Sequence, residues 1–120
     1  MSFRKQLESI CQQAPGSLAV MVMSMDGIAV MKHEVQDPGL DMEVFLIEMV
    51  GPVRQAMQAC ESVSAGDMTA FDMKVGKGHL LFHHLVDEHF VALLMAPDAV
   101  VGRGRFALRL HSRALNQELS

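Results

Sequence analysis

Residues 79–96, HLLFHHLVDEHFVALLMA, contain two runs of strand-forming residues on either side of Asp87-Glu88. Each run is apolar almost without interruption: Leu80, Leu81, Phe82 and Leu85 in the first, Phe90, Val91, Leu93, Leu94 and Met95 in the second. A strand with one wet face alternates apolar and polar residues, so continuous runs mean that both faces are covered. The pattern predicts a hairpin at the centre of a sheet with helices on both sides.

Working outward, Met68–Val75 forms a third strand-like run, separated from His79–Val86 by Gly76-Lys77-Gly78. Its polar and apolar residues sort into Thr69, Phe71, Met73 against Ala70, Asp72, Lys74, as expected near a sheet edge. Further upstream, Ser17–Met25 and Ile28–His33 flank Asp26-Gly27, a pair suited to the positive φ angles of a type I′ hairpin turn. Three helices complete the pattern. Phe3, Leu7, Ile10, Cys11 and Ala14 recur at helical spacing behind Ser2 and stop at Pro15-Gly16. Met42, Leu46, Met49, Val50, Val53, Met57 and Cys60 place one apolar stripe along 41–63, and Gly51-Pro52 in its middle predicts a bend or break. Beyond Pro97-Asp98, Val101, Leu108, Leu115 and Leu119, with Leu110 and Ala114, define a last amphipathic helix. The expected fold is α/β: a single domain over 1–120 with one five-stranded antiparallel sheet, helices on both faces, and the order α-β-β-α-β-β-β-α.

The composition narrows the function. Half of the residues are apolar and a fifth charged, which suits a packed core, and a net charge of -4 argues against nucleic acid. Cys11 and Cys60 are isolated thiols without CxxC spacing, which suits a reducing, cytoplasmic setting. No uncharged run approaches the roughly 18 residues of a membrane span, so no membrane insertion is expected.

The polar constellations do not assemble a catalytic centre. His79 and His83 have the i, i+4 spacing that chelates on a helix, but on a strand they lie roughly 13 Å apart, and His83 and His84 face opposite ways. A two-residue Asp87-Glu88 loop sets His84 opposite Val91 and His89 opposite Val86, which brings at most two imidazoles together. Both cysteines fall on apolar stripes, where a small packed thiol is the common case. No metal, cofactor or enzymatic activity is expected.

Surfaces are more informative. Val44, Phe45 and Ile47 lie off the main stripe of the central helix, and with Val50 they make its first half apolar nearly all round. One side of such a helix needs cover from beyond its own sheet. With the edge run carrying Met68, Ala70 and Asp72, they suggest a homodimer, because a two-fold axis satisfies both surfaces at once. In the last helix Arg105, Arg109 and Arg113 fall on one face behind Arg103, a stripe that suits an acidic partner or simply a solvated face.

The element order, the hairpin Ala19–Val30 around Asp26-Gly27, and the basic-apolar helix from Phe106 to Leu115 resemble the roadblock and dynein-light-chain family, over Leu18 to Leu119. The resemblance implies a profilin-like domain that dimerises through its central helix and third strand into one continuous sheet. Similar members bind Ras-like small GTPases, and one, a bacterial gliding-motility protein, stimulates GTP hydrolysis by its partner. It thus implies a non-catalytic homodimer that modulates a GTPase cycle, with Glu48, Arg54, Gln55 and Gln58 of the central helix joining the three arginines as candidate partner contacts. The competing reading is a small-molecule sensor or a scaffold, since a Met-rich interior can repack around a ligand.

Overall fold

The computed structural model describes residues 2–120. Helix α1 (Phe3–Gln13) is capped by Ser2, whose hydroxyl accepts from the Lys5 amide. Strands β1 (Ser17–Ser24) and β2 (Ala29–Glu34) form the first hairpin, α2 (Met42–Ser62) follows, and β3 (Ala70–Val75), β4 (Gly78–Leu85) and β5 (His89–Met95) form a meander before α3 (Val101–Leu119). The five strands make one antiparallel sheet in the order β2-β1-β5-β4-β3. Strands β1, β5 and β4 are therefore central, as their continuous apolar runs require, and β2 and β3 are edges.

Strand alternation divides the core in two. Val20, Val22, Leu81, Leu85, Val91, Leu93 and Met95 point to the face covered by α1 and α3, where they meet Leu7, Ile10, Leu108 and Leu115. Met21, Met23, Leu80, Phe82, Phe90 and Leu94 point to the other face and meet Met42, Leu46 and Val53 of α2. Phe82 stacks between Phe71 and Phe90, with ring centroids 4.9 and 4.5 Å away. Gly104 lets α3 approach closely: a Cβ there would lie 2.6 Å from Leu81 Cδ1 and 2.5 Å from Met95 Sδ.

Four local expectations are corrected. Of the bend or break expected at Gly51-Pro52, the break does not occur: helix α2 continues through Pro52. Proline removes the donor that would serve the Glu48 carbonyl, and Glu48, Gly51 and Pro52 are all exposed, so the lost bond lies on a solvent-facing side of the helix. The β1–β2 turn is not type I′. Only Gly27 is left-handed, at φ 83°, and the bonds from Gly27 N–H to Ser24 C=O and from Ser24 N–H to Ile28 C=O, both 2.9 Å, enclose a three-residue loop that buries Met25. The β4–β5 register is one residue away from the expected one, with Leu85 opposite His89 and His84 opposite Phe90. Val86-Asp87-Glu88 stay outside the ladder because Val86 N–H donates to Asn116 of α3 and Glu88 C=O accepts from Met25. Finally, Leu110 is not a core residue but lies exposed on the outer side of α3.

Candidate partner-binding surfaces

Helix α2 buries Met42, Leu46 and Val53 on the sheet and leaves Val44 53% and Ile47 44% exposed. Phe45, Val50 and Met68 are half-buried and lean on the chain's own core, so they present only part of their surface outward. At one end a shallow groove brings Val44 and Phe45 beside Val75 at the end of β3. At the other, Met57 and Glu61 face Met68 and Thr69 just before β3. Helix and edge strand therefore run side by side in opposite directions along one margin of the molecule. Ala70 and Asp72 are exposed on that strand, whose outer edge has no neighbour among the described strands.

The polar candidates on α2 divide. Glu48, Gln55 and Gln58 are exposed. Arg54 instead reaches the hairpin tips: its guanidinium donates to the Met25 carbonyl at 3.3 Å and lies 3.4 Å from the Glu88 carboxylate. It ties the helix to both loops and keeps part of its surface toward solvent.

Of the α3 arginines, Arg105 pairs with Asp72 of β3, so two candidates assigned to separate surfaces neutralise one another across a groove floored by Leu81 and Leu108. Arg109 and Arg113 remain exposed, and Arg109 lies 5.6 Å above the ring of Phe106. Phe106 (53% exposed) and Leu110 (54%) form an outward apolar step on this helix. Their i, i+4 spacing beside Arg113 is visible in the sequence, but Leu110 reads equally well as part of the buried stripe until the helix is oriented.

The histidines are dispersed. His79 Nε2 contacts the Pro97 carbonyl, and His89 Nδ1 the Asp87 carbonyl. His83 faces α3, and burial, aided by neighbouring His84, pushes its pKa below the usual value. His84 points to the α2 side with a buried, unpaired Nε2. His111 bonds Gln6 Oε1 at 2.6 Å through Nδ1, and burial lowers its pKa too. Among the described residues no three His, Cys, Asp or Glu side chains converge to hold a metal ion. The thiols are less buried than their stripes imply. Cys11 sits half-exposed over the α1 core, its pKa pushed up to about 11 by burial against a smaller opposing effect of a Ser17 hydrogen bond. Cys60 is half-exposed on α2.

The fold has close counterparts among solved structures. MglC from Myxococcus xanthus shares 28% identity over 98% of this chain and 99% of that one, with a TM-score of 0.69. The roadblock/LC7 domain from Streptomyces avermitilis superposes with a TM-score of 0.82 at 15% identity, covering 99% and 98% of the two chains. The fold is of the roadblock type. A third structure, the gliding protein MglB from Thermus thermophilus, superposes with a TM-score of 0.84 at 12% identity over 96% of this chain and 86% of its own. No protein-family model and no curated protein sequence matches the chain. The roadblock order α-β-β-α-β-β-β-α and the sheet with helices on both faces are the architecture expected from the sequence. No helix among the described residues is long and apolar enough to cross a membrane.

Proposed function

We propose that this roadblock protein is a cytoplasmic homodimer without catalytic activity of its own, which binds a Ras-like small GTPase and modulates its nucleotide cycle. The observation that carries the reading is the margin where the exposed Val44 and Ile47 of α2 run beside the unpaired edge of β3. A two-fold axis there joins two edge strands and packs two apolar helical faces together, covering unpaired backbone and exposed side chains in one contact. Glu48, Gln55 and Gln58 then line the paired helices as the polar face offered to the GTPase. Support for self-association also comes from an MglB structure in a tetrameric arrangement, 14% identical and superposing with a TM-score of 0.81. Against the ligand-sensor reading, the space between the sheet and each helical layer is filled by side chains with little or no exposure, and the concavities are grooves open to solvent.

A regulator must bind one nucleotide state better than the other. The tagged protein, incubated with native lysate and washed with a GTP analogue or GDP, is expected to retain a Ras-like GTPase in one state only. Equal retention in both states leaves a scaffold, and retention in neither refutes the GTPase reading. With the partner in hand, single-turnover hydrolysis with and without the dimer decides whether the chain acts as a GTPase-activating protein.

A further inference from the structure

The α2 margin leaves the opposite side of the molecule free, and α3 is unlike the rest of the chain. From Val101 to Leu119 it carries four arginines and one carboxylate, Glu118, in a protein whose net charge is -4. Three of those arginines, Arg103, Arg109 and Arg113, have no carboxylate within salt-bridge reach among the described residues. They share the outer face with Phe106 and Leu110, at the three- and four-residue spacing of one helical stripe, opposite the buried Gly104, Leu108 and Leu115. Arg109 rests over the Phe106 ring, which holds the guanidinium in place while leaving its N–H edge free for a carboxylate.

We infer that this face of α3 is a second docking surface, which takes a carboxylate-bearing amphipathic helix from another protein. The stripe is a convex ridge about 15 Å long whose two apolar side chains, Phe106 and Leu110, stand about 6 Å apart along the axis, the spacing at which another helix presents i, i+4 side chains. The pairing of exposed Phe with unpaired Arg is the residue chemistry enriched at interface centres. Charge complementarity specifies the occupant: apolar side chains to cover Phe106 and Leu110, flanked by Glu or Asp to meet Arg109 and Arg113. An anionic membrane would meet the same charges, but two exposed apolar side chains on a rigid helix supply less insertion than one acyl chain, which itself binds only marginally. The surface lies across the sheet from α2, and the inference stands whether or not a GTPase binds there.

The test uses the full chain and a fluorescein-labelled helical peptide with a Leu stripe flanked by Glu, read by anisotropy. A second peptide replaces every Glu with Lys. Saturable binding of the Glu peptide alone, weakened about tenfold or more by Arg113→Glu and by Phe106→Ala, is expected. Ile47→Glu on α2 should leave it unchanged. Arg113 is exposed, so its variant reports on binding even if Phe106→Ala perturbs folding. Absence of binding, equal binding of both peptides, or indifference to Arg113→Glu overturns the proposal. So does cosedimentation with phosphatidylcholine–phosphatidylserine vesicles that Arg113→Glu abolishes while peptide binding is absent, which would assign the face to a lipid surface.

Discussion

Gly102 and Gly104, two residues apart on α3, behave oppositely because of what surrounds them. A Cβ at Gly102 meets nothing within 4 Å, whereas at Gly104 it meets the packed ends of Met95, Leu81 and Leu93. Gly102→Ala should stabilise the fold by about 0.5–1 kcal/mol through helix propensity and a less free unfolded chain. Gly104→Ala should destabilise it by about 1–3 kcal/mol, the usual cost of overpacking. Urea unfolding of the two variants checks both signs. His83 and His111 share a different residue-scale property: burial lowers both pKa values below the ordinary 6.5. The unfolded chain therefore binds protons more readily than the folded one just below pH 6.5, so stability rises with pH through that window and levels off above it. Unfolding midpoints at pH 5.5 and 7.5 should differ less in a His83→Gln, His111→Gln variant than in the parent. Both histidines are visible in the sequence. Their suppressed charge is not, because it depends on α3 covering β4 and on α1 packing beside α3.

At the scale of the element, α2 shows how a local rule yields to context. Gly51-Pro52 joins the two residue types least suited to a helix interior, yet the helix spans 21 residues across it. Asp41 caps its start, the side chain accepting from the Val44 amide at 3.1 Å, and Met42, Leu46 and Val53 anchor both halves to one sheet face. The missing donor faces water, which leaves the helix with propensity loss rather than a buried orphan carbonyl. Pro52→Ala should therefore raise stability by about 2 kcal/mol, below the full proline penalty because proline also restricts the unfolded chain. A change near zero in thermal or urea unfolding would mean that the carbonyl or the ring makes a compensating contact, for example across a dimer. The hairpins follow the same logic. Asp26-Gly27 and Asp87-Glu88 announce turns, but their loop lengths answer to partners distant in sequence, Met25 with Glu88 and Val86 with Asn116.

For the whole molecule, the decisive question is what covers the α2–β3 margin. Ile47 is nearly half-exposed, lies outside both core clusters and has Gly27 of the β1–β2 loop as a neighbour. Ile47→Glu should therefore leave the monomer's thermal stability within about 0.5 kcal/mol while dissociating the proposed dimer, because surface substitutions away from packed features are usually this mild. Sedimentation or light scattering across micromolar concentrations checks it, and a parent chain that is strictly monomeric there removes the proposed two-fold arrangement. Much of this architecture was legible in the linear chain. Continuous apolar runs at 80–95 already required a doubly covered central hairpin, polar alternation at 68–74 marked an edge, and helical stripes placed α1, α2 and α3, since burial periodicity is a local consequence of 2.0- and 3.6-residue repeats. Orientation was not legible. Only the tertiary structure turned Arg54 onto the hairpin tips, joined Arg105 to Asp72, set the β4–β5 register and left Phe106 and Leu110 facing solvent. Each of these depends on which side of an amphipathic element finds a neighbour, and that neighbour comes from a part of the chain that no local repeat can specify.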